Sequence, residues 1–163
     1  MPLAFSNLVT LNIANAKRQS GEHLKLLELC YRYAYLNARQ QAGLRLTDEE
    51  AQQLTALRGL FEGDSGKQRR QFRRFPMLLH AVVKTSRGWC SGQVLNMSGA
   101  GMYLALTHDV EAGATVQVRV GSPGSVEYLF TCTVIRSTTD DEGEPQGFGL
   151  SFCCVPLEMR RAA

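Results

Sequence analysis

The hydrophobic period of this chain changes once, and the change falls on a short arginine-rich segment. Before it, apolar residues recur every three or four positions; after it, they alternate. A period near 3.6 commits a segment to an amphipathic helix, and a period of two to a strand with one buried face. The chain is therefore expected to be α+β, with helices first and strands afterwards. At 163 residues it has room for one or two small domains.

In the helical part, Leu8, Val9, Leu11, Ile13 and Ala16 fit a short helix from Ser6 to about Arg18, and Ser20 and Gly21 are expected to break it. From Glu22 to about Ala42 the signal is stronger. Leu24, Leu27, Tyr31, Ala34 and Ala38 lie three and four apart, with Leu26, Leu29, Tyr33 and Leu36 as a second stripe. So broad an apolar surface suits a helix touched by two neighbours. Gly43 suits a helix C-terminus. Thr47-Asp48-Glu49-Glu50 reads as a capping box opening a helix with Ala51, Leu54, Leu57, Leu60 and Phe61 that ends near Gly63. The expectation for residues 1–64 is a three-helix bundle or a helical hairpin. Lys17, Arg18, Lys25, Arg32 and Arg39 read as a solvated face. A core this small calls for a surface to pack on: the rest of the chain, a second copy, or a partner protein.

Gly63 to Gln68 is a polar, glycine-containing boundary, so residues 65–75 read as a lead-in and 76–163 as a second domain. There Met77, Leu79, Ala81 and Val83 alternate with more polar neighbours. Trp89 to Leu95 is a second strand; Met102, Leu104 and Leu106 mark a third, and Val116, Val118 and Val120 a fourth. Tyr128, Phe130, Cys132 and Val134 share one face of a fifth, and Phe148, Leu150 and Phe152 of a sixth. Six short antiparallel strands with frequent turns indicate a small barrel or sandwich.

Charge is concentrated. Residues 1–64 are net neutral, residues 65–75 carry five Lys/Arg and no acid, and residues 76–163 are net −2. A protein that coats duplex DNA spreads its cations over an extended footprint, so this pattern argues for a small anion and against DNA. RNA or single-stranded nucleic acid is a weaker alternative, because the strand region is acidic and has no aromatic ladder. His23, His80 and His108 are scattered, and Ser98 lacks a nucleophile-elbow context. Neither a phosphate-loop lysine motif nor a His/Cys cluster with metal spacing occurs. The chain is thus read as a non-enzyme without cofactor or metal. The cysteines, five in all, are odd in number and unpaired in spacing, and read as buried reduced thiols of a cytoplasmic protein. No stretch is long and apolar enough to insert in a membrane, since His80 interrupts the run from Met77 to Val83. Ala14-Asn15-Ala16 mimics a cleavage site, but no basic residue precedes the apolar part, so the N-terminus reads as mature sequence.

Two motifs stand in order on this pattern. Arg69-Arg70-Gln71-Phe72-Arg73-Arg74 is a lead-in with an RxxxR pair at Arg70 and Arg74, and Asn96-Met97-Ser98-Gly99-Ala100-Gly101 is a polar turn between apolar strands. Together with Gly147-Phe148-Gly149-Leu150-Ser151-Phe152 as a last barrel strand, they resemble the PilZ domain family over about residues 67–160. The resemblance implies a six-stranded antiparallel barrel and a cytoplasmic bacterial receptor or adaptor for cyclic di-GMP. It implies ligand contacts from Arg69, Arg70, Arg73, Arg74, Asn96, Ser98, Gly99 and Gly101, with Arg73 accessory because it stands where proline is common. Arginine suits such a ligand: it is always charged, forks onto phosphate or a guanine edge, and stacks on a base. In the family, an Arg just before the RxxxR pair goes with a stacked ligand dimer. Arg69 therefore implies two ligands per chain. The helices would bind a protein partner or a second copy. A ligand-independent interaction module is the competing reading.

Overall fold

In a computed structural model, residues 2–62, 72–121 and 126–159 are described, with side chains from Gly21 onward. Helix α1 runs over Pro2–Gln41 and α2 over Asp48–Phe61. Among the described residues the helical part is therefore a hairpin of two helices, the second of the two expected arrangements. Ser20 and Gly21 sit inside one continuous helix. One glycine costs a helix only about 1 kcal/mol relative to alanine, too little to stop a ladder that propagates on both sides.

The connection between the helices follows local chemistry. Gly43 has φ +81°, a left-handed conformation that glycine adopts without penalty. Gly43 N donates to Gln40 O at 3.1 Å and Leu44 N to Arg39 O at 3.0 Å, which closes α1 with a Schellman motif. The capping box forms as expected: Glu50 N donates to Thr47 Oγ1 at 3.1 Å, and Thr47 N to Glu50 Oε1 at 3.0 Å. Those bonds, the Thr47 backbone contact foremost, hold the Glu50 carboxyl below its ordinary pKa. Arg32 and Arg39 do not form a solvated face. Arg32 donates twice to Gln53 Oε1, at 3.1 and 2.9 Å, and Arg39 pairs with Glu50 at 2.7 Å, tying α1 to α2.

The strands are β1 (Phe75–Thr85), β2 (Gly88–Met97), β3 (Gly101–Ala105), β4 (Thr115–Gly121), β5 (Glu127–Thr139), β6 (Pro145–Phe152) and β7 (Leu157–Met159). The order β4-β1-β2-β3-β6-β5, with β5 pairing back to β4, closes a six-stranded antiparallel barrel. Closure leaves no unpaired edge among those strands. The three-residue β7 adds to β5 beside residues 127–129, and is too short to show an alternation in the sequence.

The alternating residues fill the barrel. Val83, Val94, Leu104, Val118, Phe130, Val134 and Phe148 are all essentially inaccessible. The same apolar cluster continues into the helices through Leu27, Cys30, Leu36, Leu54 and Phe61. Aromatic rings make the joint: Tyr31 meets Tyr128 at 4.3 Å, Tyr33 meets Phe61 at 5.2 Å, and Phe61 meets Phe75 edge-on at 5.4 Å. His23 also serves the joint. A register shift in β1 between Pro76 and Leu79 frees Leu78 N, which donates to His23 Nδ1 at 3.0 Å. Burial pushes the Cys30 thiol up to about 12 and Cys132 higher still, whereas Cys153 and Cys154 are exposed, unlike the buried thiols expected.

Candidate ligand site

One row of residues crosses four strands. Asn96 on β2 pairs with Tyr103 on β3, Tyr103 with Gly149 on β6, and Gly149 with Arg136 on β5. At the usual strand spacing this row spans roughly 14 Å. Two bulges turn its ends outward. The β2–β3 register shifts between Val94 and Asn96, and the β5–β6 register between Val134 and Arg136. Val94 and Val134 face the core, so strict alternation would send Asn96 and Arg136 inward as well. The inserted Leu95 and Ile135 reverse that parity. Both ends of the row then open on an outer cleft of about 320 Å³, which Arg74, Asn96, Ser98, Gly101, Ile135 and Arg136 line.

The two outward glycines of β6 make room for the side chains between those ends. A Cβ on Gly147 would meet Cζ of Tyr103 at 2.7 Å. The Tyr103 hydroxyl instead reaches Thr138 Oγ1, which donates onward to Gly147 O at 3.1 Å. A Cβ on Gly149 would come within 3.2 Å of Cγ and 3.3 Å of Nε of Arg136, so the arginine stem lies across the gap that this glycine leaves.

The Asn96–Gly101 turn is held by its own serine. Ser98 Oγ accepts from Ala100 N at 3.2 Å and Gly101 N at 3.3 Å, and Ser98 N donates to Gly101 O at 2.9 Å. Gly101 abuts the backbone of β6, where any Cβ would overlap Leu150 O. Gly99 is on the other side of the turn. It is buried under Tyr33, and a Cβ there would run into the ring. The motif therefore has a cleft face, with Asn96 and Ser98, and a joint face, with Gly99.

Of the residues singled out in the sequence, Arg74, Asn96, Ser98 and Gly101 line one cleft. Gly99 does not line it. Arg73 is exposed, and its backbone N donates to Phe61 O at 2.8 Å, fastening the end of the lead-in to the end of α2. Phe72 supports that fastening by pairing with Glu62 and setting its ring 6.2 Å from Tyr33. Arg69 and Arg70 lie outside the described residues. Sequence reasoning missed Ile135 and Arg136. Their signal is a reversed parity: after inward Tyr128, Phe130, Cys132 and Val134, an arginine takes the next inward place and an isoleucine the outward one.

A six-stranded barrel with this cleft defines a class, and the comparison with protein families agrees. The PilZ domain family matches residues 68–162, more than half of the chain, and the chain belongs to that family. Among solved structures it resembles the Bacillus subtilis inhibitor of motility MotI/DgrA, at 18% identity and TM-score 0.45, over 53% of this chain and 43% of that one. It also resembles the PilZ domain of Escherichia coli YcgR with c-di-GMP, at 20% identity and TM-score 0.38, over 52% of this chain and 76% of that one. The chain thus spans less than half of the MotI/DgrA chain. No curated protein matches it. Among the described residues no helix is long and apolar enough to cross a membrane, and no group of three or more potential metal ligands occurs.

Proposed function

We propose that this protein is a cyclic di-GMP receptor that acts as an adaptor and not as an enzyme. The observation that carries the reading is the convergence of Arg74, at the end of the basic lead-in, with Asn96 and Ser98 on one open cleft. Arg69, Arg70 and Arg74 take phosphates and guanine edges, with Arg73 accessory. Asn96 offers both an acceptor and a donor to a base, and Ser98 a hydroxyl. Gly99 and Gly101 belong to the site by shaping the turn. Arg69 makes the ligand a stacked pair, two per chain, whose four phosphate charges the four arginines of residues 69–74 offset.

In this reading, residues 76–163 form the receptor barrel, 65–75 the clamp and 1–64 the output unit in a cytoplasmic protein. The tie from Arg73 N to Phe61 O and the seat of Gly99 under Tyr33 support a ligand-dependent change in the helices, because both lie within a few residues of the clamp and the turn. The helices then bind a protein partner or a second copy.

Calorimetry of the full chain with cyclic di-GMP, GMP and a single-stranded oligonucleotide tests the reading. Cyclic di-GMP alone should bind tightly, with a ratio near two that Arg69→Leu lowers to one. No heat with any of the three would favour a ligand-independent module, and preference for the oligonucleotide an RNA-type binder.

A further inference from the structure

The cleft has a second wall that the two sequence motifs do not contain. It is built by the bulge at Ile135, which puts two consecutive side chains of β5 on the outer face. Ile135 is 60% exposed, more than any other large apolar side chain among the described residues. Arg136 is also exposed, and its stem is seated across Gly149. An apolar platform beside an anchored guanidinium, about 14 Å across the sheet from Asn96, fits a flat heterocycle with acceptors on its edge. It does not fit a bare phosphate, which has no use for Ile135.

We infer that Ile135 and Arg136 form a purine subsite. A guanine face lies on Ile135, and Arg136 forks onto its O6 and N7. Asn96 and Arg74 hold the other end of the ligand. The seat on Gly149 limits the rotamers of Arg136 before the ligand arrives, so less side-chain freedom is lost on binding. This inference rests on the cyclic di-GMP reading and adds a base-reading contact from the barrel wall.

The test is calorimetry of the full chain with cyclic di-GMP, comparing wild type with Arg136→Ala, Arg136→Lys and Ile135→Ser, with a thermal melt of each. Both residues are exposed on the outer face of the sheet, so the melts of all three variants should coincide. Arg136→Ala and Arg136→Lys should each weaken binding roughly tenfold or more, because lysine keeps the charge but not the fork. Ile135→Ser should weaken it severalfold. Wild-type affinity in Arg136→Lys alone would make the contact a simple charge and overturn the purine subsite. Wild-type affinity in both Arg136→Ala and Ile135→Ser would overturn the second wall and leave the receptor reading standing. A wild-type chain that binds no cyclic di-GMP would overturn both.

Discussion

The two faces of the Asn96–Gly101 turn are built of opposite materials. Toward the cleft it shows Asn96 and Ser98 beside Arg74 and Arg136, open to solvent. Toward the helices it shows Gly99 beneath Tyr33, whose ring packs with Phe61 and Phe72. Burial, with the Glu62 charge second, pushes the Tyr33 phenol up to about 12, so the joint carries a neutral ring at any physiological pH. One face can exchange water for an anion, and the other can only stay packed. A six-residue motif thus divides into parts that open on the cleft and parts that hold the barrel to α1, and substitutions should separate the two.

The largest effect should come from the joint. Phe61 is fully buried against Tyr33 and Phe75, so Phe61→Ala should cost about 3–5 kcal/mol in denaturant unfolding. Gly99→Ala forces a methyl into the Tyr33 ring and should cost roughly 1–3 kcal/mol. Combining it with Tyr33→Leu should cost less than the sum of the two single changes, a coupling expected only for groups in contact. Strict additivity would mean that Gly99 and Tyr33 do not touch.

A smaller effect, remote from both faces, calibrates the comparison. Thr47→Ala removes the α2 cap and should cost about 1 kcal/mol. Its partner Glu50 has a lowered folded pKa, so its contribution is present above the ordinary carboxylate range and is lost as pH falls through the lowered value. Glu50→Gln should flatten the acid limb of the stability profile between those two values. Neither Thr47→Ala nor Glu50→Gln should alter the chemistry of the cleft.

The sequence made the barrel legible because each strand keeps one parity over most of its length, and the α2 cap because Thr47 and Glu50 act within one turn. It hid the joint, because nothing local says that Gly99 will lie under a tyrosine from sixty-six positions earlier. The continuous α1 was missed because a break was assigned to Ser20 and Gly21 on propensity alone. Half of the cleft was legible as a motif. The other half, Ile135 and Arg136, was written as an alternation error in β5, visible only to a reader who takes an inward-parity arginine as a bulge.

The most direct measurement is a paired one on the full chain: cyclic di-GMP calorimetry and a thermal melt for wild type, Arg74→Ala and Asn96→Ala. The account predicts tight binding by wild type, roughly tenfold or greater weakening in Arg74→Ala, a clear weakening in Asn96→Ala, and melts that stay together. Wild-type affinity in both variants, or melts that fall while affinity holds, would contradict the assignment of this cleft as the ligand site.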